Sequence, residues 1–147
     1  MSGQDYTTTI AVDKSPMVAF HAINNPRSWW GTEIEGRTDQ LGEEWSYRYK
    51  AFHYSRQKTV ELSPGRKVVW HVVDGELSFV EDKQEWKGTD IIFEISEHDG
   101  KTQIEFTHRG LVPTGECYDT CSDAWSGLIK GSLRKLIETG SGAPDSM

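Results

Sequence analysis

The spacing of apolar and polar residues predicts a strand and then one or two short helices at the start of the chain. Residues 6–12 are rich in Thr, Ile and Val, which is typical of a strand. Ser15 and Pro16 favour a helix start, because Ser is a good N-cap and Pro is tolerated in the first turn. We expect this helix to end near Asn24 and a second, short helix to span residues 26–30.

The pattern then changes to a period of two, which predicts a run of antiparallel strands. Trp45, Tyr47 and Tyr49 fall on one face of the first of these strands, and Val60 and Leu62 fall together on one face of the next. The predicted strands cover residues 43–50, 58–62, 66–73, 89–96 and 102–108, with a loop or short edge strand at 77–80.

Two pairs of turn residues interrupt this run. Asp74-Gly75 predicts a break in the chain direction, and Asp99-Gly100 predicts a tight hairpin turn. We expect one domain over residues 6–139, flanked by flexible termini at 1–5 and 140–147, because both ends are short, polar and rich in small residues.

The last element is predicted to be a long amphipathic helix that ends at Gly140, a common C-cap residue. Its apolar stripe consists of Cys121, Trp125, Leu128, Ile129, Leu133 and Leu136. Consecutive antiparallel strands with helices gathered apart from them define an α+β fold. We expect a curved antiparallel sheet of about six or seven strands wrapped around this C-terminal helix, which covers its apolar face.

Large aromatic side chains are predicted between the sheet and the C-terminal helix. They either fill a solid core or leave a hollow, since planar rings span gaps more readily than close-packed aliphatics. Spacing alone leaves both arrangements open. The residues concerned are Trp45, Tyr47, Trp70, Phe93, Phe106 and Trp125.

Several short motifs resemble the START-like superfamily, also called SRPBCC, in the branch of the C-terminal domain of the heat-shock chaperone ATPase activator. They are Pro64-Gly65-Arg66 before a Val-Val-Trp strand, Trp86-Lys87-Gly88-Thr89, the stretch from Gly100 to Leu111, and Tyr118, Trp125 and Gly131-Ser132-Leu133 on the final helix. The likeness covers about residues 6–139. It implies the helix-grip fold and favours a hollow core, but the superfamily includes carriers, cyclases, hydroxylase domains and cochaperones.

Charge and composition exclude several classes of protein. Sixteen basic and 23 acidic side chains give a formal charge of −7, and without a Lys/Arg stripe we expect no nucleic acid partner. No apolar run approaches the roughly 20 residues of a membrane helix, and the start lacks the features of a signal peptide. We therefore expect a cytoplasmic protein with no membrane partner.

The two cysteines are predicted to be reduced thiols packed on a helix face. Cys117 and Cys121 are four residues apart, so on one helix their side chains point along the axis, which is unfavourable for a bridge. Two sulfurs alone also make a weak metal site. We expect no metal and no cofactor.

His108 is the strongest candidate for a polar group inside the fold, at the end of the strand face formed by Ile104 and Phe106. Its alternative role is a hydrogen bond to the backbone at the strand end. The direction of His71 stays open, because both faces of its strand are apolar. Of the other histidines, His53 is placed in a bend, and His21 and His98 are expected to be exposed.

Acid–base catalysis has no clear candidate pair. Glu94 and Glu105 alternate with inward residues and are expected to face solvent, and Glu76 and Glu81 lie in predicted loops. The sequence contains no Gly-rich phosphate loop and no Gly-x-Ser-x-Gly elbow. No catalytic residue is assigned, and a non-enzymatic role is favoured.

Two adjacent Trp side chains, Trp29 and Trp30, should not both face one core from a short helix. One ring is therefore a candidate for a cavity mouth or a partner surface, and ordinary packing is the alternative. A nearby acidic cluster is expected to be a solvated face or the docking site of a basic partner. It consists of Glu33, Glu35, Asp39, Glu43 and Glu44.

The favoured hypothesis is binding of a small apolar or amphipathic molecule between the sheet and the C-terminal helix. Its predicted contacts are Trp45, Tyr47, Tyr49, Trp70, Phe93, Phe106, His108, Trp125 and Ile129. The resemblance implies a second hypothesis, a cochaperone-like module with a chaperone partner, and a third, an enzyme of the cyclase or hydrolase type. A monomer and a homodimer are both compatible with the sequence.

Overall fold

Seven antiparallel strands form one sheet in the computed structural model, which describes residues 5–78, 80–81 and 83–144. The strands are β1 (Tyr6–Val12), β2 (Ile34–Gly36), β3 (Glu44–Tyr49), β4 (His53–Ser63), β5 (Lys67–Leu77), β6 (Asp90–His98) and β7 (Lys101–Arg109). Their spatial order is β1-β7-β6-β5-β4-β3-β2, so β1 crosses to pair with β7 and all other neighbours are consecutive in the chain.

Helices occur after β1 and at the C-terminal end of the described chain. They are α1 (Pro16–Ile23), a 3₁₀ turn (Pro26–Ser28), α2 (Tyr118–Gly127), a π-helical segment (Leu128–Leu133) and α3 (Arg134–Thr139). The last three form one continuous rod over residues 118–139, which we call the C-terminal helix. The predicted α+β helix-grip arrangement, an open curved sheet around this rod, is confirmed.

Local signals at element ends are confirmed by the backbone. Ser15 Oγ accepts a hydrogen bond from the Val18 N–H (3.2 Å) at the start of α1. Gly140 ends the C-terminal helix in the left-handed region (φ 84°). Asp99 and Gly100 both have positive φ (52° and 78°), as a two-residue hairpin turn between β6 and β7 requires.

The π-helical segment changes which residues of the C-terminal helix face the sheet. A π turn closes i to i+5, so it takes about one residue more than an α turn. Beyond it the inward face is displaced by one position. Ile137 is therefore buried (2 % exposed), whereas Leu136, which the uniform helical period places inward, is only half-buried.

Two β-bulges explain where the predicted strand pattern fails. Residues 59 and 61 pair with 70 and 69, which leaves Val60 as an extra residue that points outward (45 % exposed) while Leu62 points inward opposite Val68. The expectation that Val60 and Leu62 share a face is therefore wrong.

Asp74-Gly75 is not a break, which corrects a second expectation. Residues 56 and 57 pair with 74 and 72, so Val73 is the extra residue of the other bulge and β5 continues to Leu77. The Asp74 carboxylate accepts the Gly75 N–H (2.9 Å) within the strand. The predicted loop or edge strand at 77–80 includes residue 79, which lies outside the described residues, as do 1–4 and 145–147 of the predicted flexible termini.

Trp29 and Trp30 both face the core (0 % and 2 % exposed), so the expectation that two adjacent Trp side chains cannot share one core is wrong. The 3₁₀ turn ends at Ser28, and Trp29 has φ −136°, so helical geometry does not separate the two side chains. Both indoles stack on Trp70, with ring centroids 6.4 Å and 6.1 Å from it. The acidic cluster, by contrast, is exposed, as expected for a solvated face.

The inner face of β4 is polar although it lies in the core. Ser55, Gln57 and Thr59 are fully buried, and Thr59 Oγ1 accepts a hydrogen bond from Trp45 Nε1 (3.4 Å). Neither amide atom of Gln57 has a hydrogen-bond partner among the residues that the structure describes. A buried polar group without such a partner costs about 1–3 kcal/mol.

Replacing Gln57 with methionine is therefore expected to raise the free energy of unfolding by about 1–2 kcal/mol, because it keeps the chain length and removes the unbonded amide. Urea denaturation measures the change. The exposed neighbour serves as the control, and Lys58→Met should change stability by less than about 0.5 kcal/mol. A loss of stability in Gln57→Met would show that the amide is satisfied in solution.

Candidate functional site

A cavity of about 600 Å³ opens between the sheet and the first turns of α2. Strands β3 and β4 and the hairpin between them form one wall, the loop that carries Trp86 forms another, and α2 closes the third side. The lining residues are Trp30, Tyr47, Tyr49, Phe52, His53, Trp86, Thr120, Cys121, Asp123, Ala124, Trp125 and Leu128.

Aromatic rings in contact with one another form the floor of the cavity. Trp30 stacks on Tyr47 with ring centroids 4.3 Å apart and lies 5.0 Å from Trp125. Trp125 in turn stacks on Trp86 at 5.8 Å. Offset stacking of this kind is favourable and holds each ring in place, so the floor is rigid.

His108 lies behind this floor and is fully hydrogen-bonded within the protein. Trp125 Nε1–H donates to His108 Nδ1 (3.0 Å), and since an indole only donates, the histidine proton is on Nε2. Nε2–H donates to Thr89 Oγ1 (2.8 Å), whose hydroxyl donates to the Trp86 carbonyl (2.6 Å). Burial is the main cause that lowers the pKa of His108 to about 3. His108 thus joins β7, the Trp86 loop and the C-terminal helix as a neutral ring.

His53 is the histidine that reaches the cavity. Its ring lies edge-on to Tyr47 (5.1 Å) and Trp86 (4.4 Å), and Nε2 is 3.3 Å from Ser55 Oγ. Burial lowers the pKa of His53 to about 3, so the ring is neutral at physiological pH. The predicted bend at this position is instead the first residue of β4.

The nine predicted ligand contacts divide into two groups. Tyr47, Tyr49 and Trp125 line the cavity. The other six lie in the closed core and do not line it: Trp45, Trp70, Phe93, Phe106, His108 and Ile129. Phe52, His53 and Trp86 line the cavity but are not among the predicted contacts, although the Trp86-Lys87-Gly88-Thr89 motif draws attention to Trp86. Trp30, which the Trp29-Trp30 pair marks as a candidate for the cavity mouth, lies in the cavity floor.

Cys117 and Cys121 are joined as a disulfide, which corrects the expectation of two reduced thiols. Cys117 precedes α2 as its N-cap, and its carbonyl accepts the Cys121 N–H (2.7 Å). The Cα atoms are 5.5 Å apart, within the usual range for a bridge. Cys121 places the bridge at the cavity wall.

The remaining histidines lie away from the cavity. His71 points to the outer face of the sheet, where Nδ1 is 2.8 Å from Asp90 Oδ1, and His21 and His98 are exposed, as expected. Within the described parts of the chain, His, Cys, Asp and Glu side chains form no group of three that could hold a metal ion. None of the helices in those parts has both the length and the apolar character needed to cross a bilayer.

The strand order, the gripping C-terminal helix and the cavity between them define a START-like helix-grip protein. The family model described as activator of Hsp90 ATPase homolog 1-like protein matches residues 13–138. The chain therefore belongs to this family, which confirms the suspected resemblance.

Solved structures share the fold at low sequence identity. The Aha1 dimer from Colwellia psychrerythraea is 23 % identical with a TM-score of 0.76, and the match covers 95 % of this chain and 99 % of that one. Protein SSP2350 from Staphylococcus saprophyticus is 15 % identical (TM-score 0.67; 95 % and 96 % covered). DynU16, from the dynemicin biosynthetic locus, is 10 % identical (TM-score 0.68), and the match covers 96 % of this chain but 49 % of that one. No curated protein matches the sequence.

Proposed function

We propose that the protein binds a small apolar or amphipathic molecule in the cavity between the sheet and α2. The observation that carries this proposal is an opening of about 600 Å³ with a floor of fixed aromatic rings. Ligand sites are typically about 300–1,000 Å³, largely apolar, with a few polar groups. Here the polar lining residues include Tyr49, His53, Thr120 and Asp123.

The proposed contacts keep three of the residues expected from the sequence and add three from the structure. Tyr47, Tyr49 and Trp125 stay in the set, and Trp30, His53 and Trp86 join it. The six predicted contacts that lie in the closed core form the layer behind the site, where the Phe106 ring centroid lies 4.7 Å from that of Trp125 and supports the floor.

Ala124→Phe is expected to weaken binding of a neutral fluorescent probe, N-phenyl-1-naphthylamine, at least about tenfold. Ala124 is half-buried in the lining, so a phenyl ring there occupies the space of the guest. Titration of the probe, with excitation of the tryptophans, measures the dissociation constant. Lys130→Phe, exposed on the same helix, is the matched control. Equal affinities in the two variants, or no saturable binding to the parent protein, would overturn the proposal.

A second candidate is a cochaperone-like role, which the family match over residues 13–138 favours. The direct test is the ATPase rate of an Hsp90-type chaperone with and without the protein. Stimulation that saturates supports this role, and an unchanged rate argues against it. The solved Aha1 relative is a dimer, so light scattering on this protein would also decide between a monomer and a homodimer.

A further inference from the structure

We infer that the cavity selects its guest by charge, taking neutral or cationic aromatic molecules and excluding carboxylates, sulfonates and phosphates. This inference rests on the proposed function and adds the class of ligand. It follows from the charges at the wall, from the way the start of α2 is capped, and from the accessible aromatic rings of the lining, Tyr49 and Phe52.

The cavity wall carries negative but no positive charge. Among its described residues, Asp123 is the one with a formal charge, and neither Lys nor Arg occurs. His53 does not add a positive charge, because burial lowers its pKa to about 3. An anionic guest would lose its hydration without gaining an opposite charge, which is unfavourable. The formal net charge of −7 also repels an anionic guest at longer range.

The start of α2 would normally attract an anion, since a helix N-terminus carries a partial positive charge. Here that position is already occupied. Both carboxylate oxygens of Glu85 accept the Cys117 N–H, each at 3.1 Å. Glu85 thus supplies the anion from within the protein, and the helix start no longer favours a carboxylate on the guest.

Ring faces favour cations. A cation over a Trp or Tyr face gains about 0.5–2 kcal/mol, and Asp123 adds attraction at the mouth. Next to the lining, the Lys50 ammonium already makes such a contact, since it lies 5.2 Å from the centre of the Tyr49 ring. Lys50 is not a lining residue, and its charge opposes a cationic guest at Tyr49.

Three naphthalene derivatives of nearly equal size test the inference at pH 7.5 by displacement of N-phenyl-1-naphthylamine. They are 1-naphthylmethanol (neutral), 1-naphthylmethylammonium (cationic) and 1-naphthoate (anionic). We expect the cation to bind about tenfold more tightly than the anion, which corresponds to about 1.4 kcal/mol, with the neutral compound between them. Raising the salt concentration to 0.5 M should reduce the difference.

Substitutions test whether the Asp123 carboxylate causes the difference between cation and anion affinity. Asp123→Asn should lower the ratio of cation to anion affinity to about threefold or less. Asp119→Asn, exposed one turn earlier on α2 and outside the lining, should leave the ratio unchanged, and Lys50→Gln should raise it.

The outcomes separate the two proposals. If 1-naphthylmethanol does not displace the probe and no derivative binds, ligand binding itself is refuted. If the neutral compound binds but the anion binds as tightly as the cation, or if Asp123→Asn and Asp119→Asn have the same effect, the charge selection alone is overturned.

Discussion

Replacing Trp30 with alanine should lower the free energy of unfolding by about 3–5 kcal/mol. The indole is 2 % exposed and lies at the centre of the aromatic core, stacked on Tyr47 at 4.3 Å and close to Trp125 at 5.0 Å and Trp45 at 5.9 Å. Its removal leaves a large void that rigid neighbouring rings cannot fill. Urea denaturation followed by circular dichroism measures the loss.

Two further variants define what the Trp30 result means. Trp30→Phe keeps an aromatic ring and should lose clearly less stability than the alanine variant. Val60→Ala removes an apolar side chain that is 45 % exposed at a bulge, and it should change stability by less than about 0.5 kcal/mol. A loss below about 1 kcal/mol in Trp30→Ala would show that this indole does not hold the core together.

The protein should also lose stability as the pH falls from 7 to 5, and His108 alone should account for about 2 kcal/mol of that loss. Burial, with a smaller contribution from His53, lowers the pKa of His108 to about 3, while Asp90 acts in the opposite direction. In the unfolded chain the pKa is near 6.5. Between pH 3 and pH 6.5 the unfolded state binds more protons at this histidine than the folded state does. The contribution of neutral His108 to the free energy of unfolding is therefore fully present above about pH 6.5 and is lost progressively as the pH falls towards 3.

Denaturation at pH 7 and pH 5 of His108→Gln measures this contribution. The readout is the difference between the two pH values within one protein, so a uniform loss of stability in the variant does not affect it. The difference should shrink by about 2 kcal/mol, and His53 should supply most of what remains. His98→Gln, an exposed histidine, should retain the full difference. An unchanged pH dependence in His108→Gln would mean that this ring is not buried in its neutral form.

The parts of the fold that local chemistry determines could be predicted from the sequence. The β1 segment, the Ser15 cap and the Asp99-Gly100 turn each follow from a few neighbouring residues, and all three agree with the structure. The order of elements then defines the layers, because an antiparallel sheet with one apolar face needs a cover. The disulfide does not follow from the sequence, because the spacing of two cysteines does not show how their side chains are turned.

The site was harder to predict, because the side chains that line it come from positions with no repeating pattern. Phe52 and His53 lie where a hairpin returns, and Trp86 lies in an irregular loop. Tyr47 and Trp125 were found because they lie on regular elements whose inward faces can be counted. His108 was correctly placed inside, but its bonds to Trp125 and Thr89 depend on three elements meeting, which no local pattern contains.

The π-helical segment gives the C-terminal helix a tolerance for changes in length. Because residues 128–133 contain about one residue more than α-helical turns need, a deletion there can be absorbed by tightening the backbone, with both flanking halves kept in their present orientation. A deletion elsewhere in the rod would rotate one half by about 100° and turn Ile137 or Trp125 away from the strands. A relative of this chain can therefore lose one residue at this place without a new packing arrangement.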